Sequence, residues 1–306
     1  MFLSDYLKIN EKEVCEKIEN FIKEKVGAFE RNGVILGISG GIDSTVCASL
    51  CVRALGKEKV FGILLPEKDV PKESFEDAKL VVKDLGIKFK VEDLTRVIKD
   101  YGIYNLIKIP GLTRKMRENI VKTVHNLYYK KTGQTPFSAS LLGVKEDTPY
   151  YDYLRKVSAY MRIKHRTRAL AWYRDAELRN LLVIGCCNKT EDMVGWFVKY
   201  GDGACDISLI GGLYKTQVWQ LARYLGVPEK IISKTPTPDM LPGLTDEFGI
   251  GLSYETIDLI LCGLEKGVAE DAIAKELSLE PAKIYYVKEL MRKSAHMREL
   301  PYQPVL

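Results

Sequence analysis

Residues 34–45 read VILGISGGIDST, and the rest of the chain is organised around them. Val34, Ile35, Leu36 and Ile38 form a short apolar run rich in β-branched residues, which predicts a strand buried on both faces. Ser39-Gly40-Gly41 follows, and Ile42-Asp43-Ser44-Thr45 then leads into VCASLCVRAL, an apolar pattern of helical type. Strand, glycine turn and helix together set backbone N–H groups and a helix N-terminus around a phosphate. The two glycines let oxygens approach where a Cβ would block them. Ser39 and Ser44 add hydroxyl donors. Asp43 repels phosphate unless a cation lies between them, so it reads as a ligand of Mg2+. A pair of glycines alone would equally mark a turn that relieves strain; the whole string SGGIDS is more specific.

That string lacks the Gly-Lys-Ser/Thr ending of the Walker loop. It resembles the PP-loop of the ATP pyrophosphatase family. The resemblance implies an enzyme that cleaves ATP between the α and β phosphates, adenylates a substrate oxygen and lets a nucleophile displace AMP.

Composition is compatible with such an enzyme. The chain has 306 residues, 46% of them hydrophobic, enough for a sizeable core in one large domain or two small ones. A net charge of +5 suits anionic small molecules without requiring nucleic acid. No apolar run approaches the length of a membrane span, and the N-terminus MFLSDYLKINEKEV has no long apolar core of a signal peptide. Seven cysteines, an odd number in a chain of this length, argue against a disulfide framework and point to a reducing cytoplasm.

Along the chain, Glu11 to Phe29 carries apolar residues at helical spacing. Val60 to Leu65 reads as a second buried strand, Glu73 to Leu85 as a helix and Lys88 to Val91 as a third strand. This order predicts an α/β fold, a doubly wound parallel sheet flanked by helices, with ligands at the carboxyl ends of the strands. No strand pattern continues through 102–158. That stretch reads as an inserted helical segment with a loop near Gln134 to Tyr151, either a lid or substrate-selecting element, or a solvated excursion or dimer surface. MRIKHRTRALAWYRDAEL predicts a long helix, Asn180 to Gly185 a further buried strand, and Tyr214 to Leu225 and Glu229 to Ser233 helices. Thr235 to Gly243, with three prolines, is a loop. The tail over 254–306 is helical. Its segment EDAIAKELSLEPAKIYYVKELM has the outline of a helix-turn-helix, but its charge is mixed, against nucleic-acid binding.

A second cluster of polar residues spans Arg162 to Lys215. Arg162, Lys164, Arg166 and Arg168 crowd one helix, and four cations so close predict an anionic ligand or partner. The strand NLLVIG ends in CCNKTE, which sets Glu191 at the head of a helix beyond a strand's carboxyl end. Lys215 near a helix start opposes the helix dipole, which favours a phosphate partner. Tyr254 and Trp219 read as core, and Cys186, Cys187 and Cys205 as small buried residues. Lys199 and Asp206 have a second reading as a pair that braces a glycine-rich loop.

The residues GCCNKTED, FVKYGDGACDISLIGGLYKTQVWQLARYLGVPE, TPTPD and DEFGIGLSYETID, in this order and with SGGIDS, resemble the ammonia-dependent NAD synthetases. The similarity covers residues 1–100 and about 160–300. It implies an adenine nucleotide α-hydrolase-like fold over residues 1–306 as one domain. The implied reaction is amidation of deamido-NAD: its carboxylate attacks the α-phosphorus of ATP, and ammonia then displaces AMP from the acyl-adenylate. Ser39, Gly40, Gly41, Asp43, Ser44, Cys186, Lys215 and Thr237 are implied at ATP, and Asp43 and Glu191 at Mg2+. Arg166, Lys199, Asp206 and His296 are implied at the dinucleotide. A homodimer, with deamido-NAD across its interface, is implied as well, and ammonia arrives free or from a glutaminase partner chain. The sequence departs from the family pattern at several points. Cys186 stands where threonine is common, Met297 replaces a lysine, the helix reads RIKHRTR where asparagine and alanine are common before the two arginines, and the 102–158 segment is long. A related adenylating ligase for another carboxylate therefore stays open, as does, on its cysteines alone, a PP-loop tRNA thiolase. A non-catalytic nucleotide-binding module is opposed by Asp43 with Glu191. No Ser-His or Cys-His pair stands out around His125, His165 and His296.

Overall fold

The computed structural model describes residues 2–107, 114–143 and 150–304. Five parallel strands, β1 (Gly33–Gly37), β2 (Val60–Leu64), β3 (Lys88–Val91), β4 (Leu181–Gly185) and β5 (Ile207–Ser208), form one sheet in the order β3-β2-β1-β4-β5. The helices are α1 (Glu11–Ala28), α2 (Ile42–Leu55), α3 (Lys72–Asp84), α4 (Thr95–Asp100), α5 (Arg114–Thr132), α6 (Pro136–Leu142) and α7 (Tyr151–Arg179). After β4 come α8 (Lys189–Val194), α9 (Lys215–Tyr224), α10 (Glu229–Ile232), α11 (Asp246–Ile250), α12 (Tyr254–Glu265), α13 (Glu270–Glu276) and α14 (Pro281–Arg298). None of the described helices is long and apolar enough to cross a membrane.

The alternation of side chains along a strand explains the two layers. Val34 and Leu36 enter a core with α1, α2 and α9, whereas Ile35 points the other way into a core with Ile63, Val183 and residues of α4 and α7. Both faces of β1 are therefore dry, which is why it reads as an unbroken apolar run. The chain winds outward from β1 to β3 and then returns through α7 to β4 on the other side of β1. The order reverses between β1 and β4, and a crevice opens there at the strands' carboxyl ends.

Several expectations are corrected. The loop predicted near Gln134 to Tyr151 contains α6, whose N-cap Thr135 accepts a hydrogen bond from the Ser138 N–H and whose first residue is proline. Part of that predicted loop, 144–149, lies outside the described residues, as does 108–113. The helix expected from Met161 begins at Tyr151, so the last turns of the 102–158 segment belong to α7. The short strand β5 was hidden in the glycine-rich motif, because two residues carry no period. The helical tail is not an appendage. Leu3 and Leu7, near the N-terminus, pack with α12, α13 and α14 in a third core, and the Leu3 N–H donates to Glu276 at 2.6 Å. All seven cysteines are free; Cys186, Cys187 and Cys205 are half-buried rather than buried.

Candidate active site

The glycine turn closes β1 and opens α2. Gly40 has φ +76°, and a Cβ there would stand 2.6 Å from the Ser74 carbonyl oxygen and 2.7 Å from the Ala78 nitrogen. Only glycine meets both demands. Ser39 Oγ accepts from the Gly41 N–H at 3.2 Å, and Ser44 Oγ donates to the Gly41 carbonyl at 3.1 Å. The turn is thus braced by its own hydroxyls, and the first-turn N–H groups of α2 remain available to an anion.

Asp43, the second residue of α2, projects toward the crevice, and two elements from beyond β4 meet it. Asn188 caps α8: its Oδ1 accepts from the Glu191 N–H at 3.0 Å, and the Asn188 N–H donates back to Glu191 Oε2 at 3.1 Å. That capping box fixes Glu191. The Asn188 amide also donates to Asp43 Oδ1 at 3.1 Å. Lys215, the first residue of α9, is 1% exposed, forms an ion pair with Asp43 Oδ2 and lies 3.9 Å from Glu191 Oε1. Burial works against the Lys215 charge, but Asp43 and Glu191 outweigh it and hold the ammonium above its ordinary range. Burial, reinforced by Asp43, pushes the Glu191 carboxyl well above the usual carboxylate range. Asp246 is pushed up to about 6 by burial, and its Oδ2 accepts from the Tyr254 hydroxyl at 2.8 Å. One lysine therefore faces three acids.

This donor set suits a hard divalent cation shared with substrate phosphates, since such ions take one or two carboxylates and complete their shell with phosphate and water. Among the described residues no three side chains converge on a position able to hold a metal by themselves. A cavity of about 410 Å³ opens over the turn, lined by Ser39, Asp43, Cys186, Glu191, Lys215 and Thr237 among others.

A family model described as NAD synthase matches residues 14–130 and 145–301. The chain belongs to the NAD synthase family. It is 40% identical over 263 residues to the NH(3)-dependent NAD(+) synthetase of Coprothermobacter proteolyticus, covering 85% of this chain and 87% of that protein. The counterpart from Thermotoga maritima is 40% identical over 288 residues, covering 94% and 97%. Among solved structures, the NH3-dependent NAD synthetase from Campylobacter jejuni in complex with the nitrate ion superposes with a TM-score of 0.66 at 28% identity, over 97% of this chain and 100% of that one. NMN synthetase from Francisella tularensis shares the fold with a TM-score of 0.72 at 23% identity, over 98% and 100%. Within the long 102–158 segment the NAD synthase model passes over only residues 131–144.

The residues expected at ATP converge on the cavity, whereas Arg166, Lys199, Asp206 and His296, expected at the dinucleotide, do not line it. Arg166 lines an open depression with Arg155 and Arg162 that adjoins the cavity, Arg162 lining both, and its Nε and Nη2 each lie 3.4 Å from the Lys199 carbonyl oxygen. Lys199 and Asp206 do not pair. The Lys199 ammonium donates to the carbonyls of His296 and Glu299, at 2.9 and 2.8 Å. Asp206 Oδ2 accepts from the Val183 N–H at 2.8 Å, and its Oδ1 accepts from the Tyr173 hydroxyl at 3.3 Å. His296 Nδ1 lies 2.9 Å from the Lys293 carbonyl.

The four cations of α7 do not share one anion. Residues two apart on a helix point in nearly opposite directions. Lys164 turns inward, fully buried, to Glu67 Oε1 at 3.0 Å and Asp69 Oδ2 at 2.6 Å. Glu67 also accepts from the Tyr104 hydroxyl at 2.6 Å. The acids sit on the loop after β2, where sequence spacing gave no sign of them. Lys234 was also missed: it donates to Asp77 Oδ2 and Ser74 Oγ, each at 3.0 Å, and reaches the Gly40 carbonyl at 3.5 Å, tying the loop that holds Thr237 to the glycine turn. Its place directly before TPTPD was the available clue.

Proposed function

We infer that this chain is an ammonia-dependent NAD synthetase, which amidates deamido-NAD with ammonia through an acyl-adenylate and releases AMP and pyrophosphate from ATP. The observation that carries the reading is the SGGIDS turn set beside the Asp43, Glu191 and Lys215 cluster at the point where the sheet order reverses, in a chain with close relatives that are NH(3)-dependent NAD(+) synthetases. A carboxylate is a poor electrophile, and adenylation gives it a leaving group. The anionic transition state then needs cations and N–H donors rather than a protein nucleophile.

In this reading the N–H groups around Gly40 and Gly41, with Ser39 and Ser44, hold the departing pyrophosphate. Lys215 exchanges its ion pair for phosphate oxygens. Asp43 and Glu191 hold Mg2+, which would screen the phosphates from the acids. Cys186 and Thr237, which both line the cavity, border the nucleotide. Arg166, Lys199, Asp206 and His296 serve the dinucleotide. A homodimer is supported by the exposure of Leu170 and Leu178 on α7, the helix that carries Arg166. Residues 1–306 act as one catalytic unit, ammonia is taken from solution or from a glutaminase partner chain, and the enzyme works in the cytoplasm.

The test is incubation of the purified protein with ATP, Mg2+, ammonium and deamido-NAD. NAD, AMP and pyrophosphate should appear in equal amounts. AMP formation only with a different acid would favour the related adenylating ligase, and no AMP with any acceptor would overturn the reading.

A further inference from the structure

His165 lies on α7, lines the cavity that holds Asp43, Glu191 and Lys215, and has a side chain only 13% exposed. Its Nδ1 is 3.3 Å from Asp202 Oδ2. Asp202 is itself held in place: its Oδ1 accepts from the Val198 N–H at 2.7 Å, and its carbonyl accepts from the Cys187 thiol at 3.5 Å. The turn that carries Asp202 is packed against the base of the His165 side chain so closely that a Cβ on Gly201 would stand 2.8 Å from His165 Cβ. A carboxylate facing Nδ1 fixes the proton there and leaves Nε2 with a free lone pair. Of the other acids of the cavity, Asp43 and Glu191 are engaged around Lys215, Asp246 accepts from Tyr254, and Asp239 Oδ1 accepts from the Thr237 hydroxyl at 3.4 Å.

We propose that His165, oriented by Asp202, takes the proton released when ammonia attacks the acyl-adenylate. The inference rests on the reading of the chain as an ammonia-dependent synthetase. As nitrogen bonds to the acyl carbon, the carbonyl π pair moves to oxygen and the nitrogen carries a positive charge with one proton too many. His165 Nε2 removes that proton. The carbonyl then re-forms, and the bond to the AMP oxygen breaks with its electron pair leaving on AMP. The imidazolium returns the proton to solvent, so acyl-adenylate and ammonia give amide, AMP and one proton. Asp202 stabilises the imidazolium while it lasts. The charged groups facing His165 are Asp202 from the glycine-rich turn and Lys164 and Arg168 from α7. Burial, aided by the two cations, outweighs Asp202 and holds the imidazole below its ordinary range, hence neutral and able to accept a proton at neutral pH.

The experiment separates the two half-reactions. His165→Asn keeps a donor toward Asp202 and removes the Nε2 base. ATP–pyrophosphate exchange with deamido-NAD reports adenylation, and NAD formation at saturating ammonium, expressed per free NH3 over about pH 5–9, reports amidation. Exchange should stay within about twofold of the parent while amidation falls roughly 10²-fold, and the acid limb of the parent's amidation profile should disappear. Equal loss in both half-reactions, or an unchanged amidation profile, would overturn the proposal. If His165→Asn does not fold, Asp202→Asn, which no longer fixes the tautomer, should show the same split, and loss of exchange in it counts against the proposal. A parent enzyme that forms no NAD at all would instead strike the synthetase reading.

Discussion

Lys215 and Asp43, 172 positions apart, meet as an ion pair in the crevice between β1 and β4, the buried lysine at the head of α9 and the half-buried acid at the head of α2. A lysine at a helix N-terminus opposes the dipole, and this one is compensated by the carboxylate it meets.

Asp43→Asn removes the ion-pair partner of Lys215 and, in the proposed reading, a ligand of Mg2+. AMP formation from ATP and deamido-NAD should fall by roughly 10²–10³-fold. Pyrophosphate release measured across a Mg2+ titration checks this, and full turnover in the variant would remove Asp43 from its role.

Gly40→Ala sets a Cβ into backbone atoms 2.6 and 2.7 Å away at φ +76°. The left-handed conformation alone costs about 1–2 kcal/mol, and the clash forces the turn off the Ser74 carbonyl. ATP affinity should drop more than the affinity for deamido-NAD, as read by calorimetric titration of each ligand.

Arg166→Ala should raise the KM for deamido-NAD more than that for ATP, since Arg166 lines the adjoining depression and not the cavity that carries Asp43 and Lys215. Initial rates with each substrate varied in turn decide it; the reverse pattern would reassign Arg166 to the nucleotide.

Lys164→Met leaves Glu67 and Asp69 buried without their shared cation. Unfolding in urea should show a loss of about 3–5 kcal/mol. Lys288→Ala, which breaks the exposed pair with Glu270, should cost at most about 1 kcal/mol.

Asp258, which accepts from the Thr190 hydroxyl and the Thr216 N–H, is pushed up to about 6 by burial. Because its folded pKa lies above its unfolded one, the folded state holds a proton that the unfolded chain has already released. Its contribution to stability is complete below about pH 4 and lost as pH rises through about 6, at most about 3 kcal/mol in all. Asp258→Asn should therefore flatten the fall of unfolding free energy between those values, measured by denaturant titration at several pH values.

Some of this was written in neighbouring residues. The apolar run before Ser39, the glycines and Asp43 specify strand, turn and helix through contacts a few positions apart, and those same residues fix the geometry of the turn. Glu191 was legible for the same reason, since strand, cap and helix follow one another within ten residues. The family resemblance added the ATP-side partners Lys215 and Thr237, and the fold brings both to the cavity.

What the sequence by itself determined is the parallel sheet, the place of its glycine turn and the residues that flank it. Only the tertiary structure decided that Lys164 turns from its neighbouring arginines to Glu67 and Asp69, that Lys199 and Asp206 find separate partners, that the N-terminal leucines pack under the helical tail, and that His165 meets Asp202. Hydrophobic period and backbone propensity act between near neighbours and survive in a linear reading. The choice of an ion-pair partner depends on which faces of distant elements are driven together when water leaves, and no spacing along the chain records it.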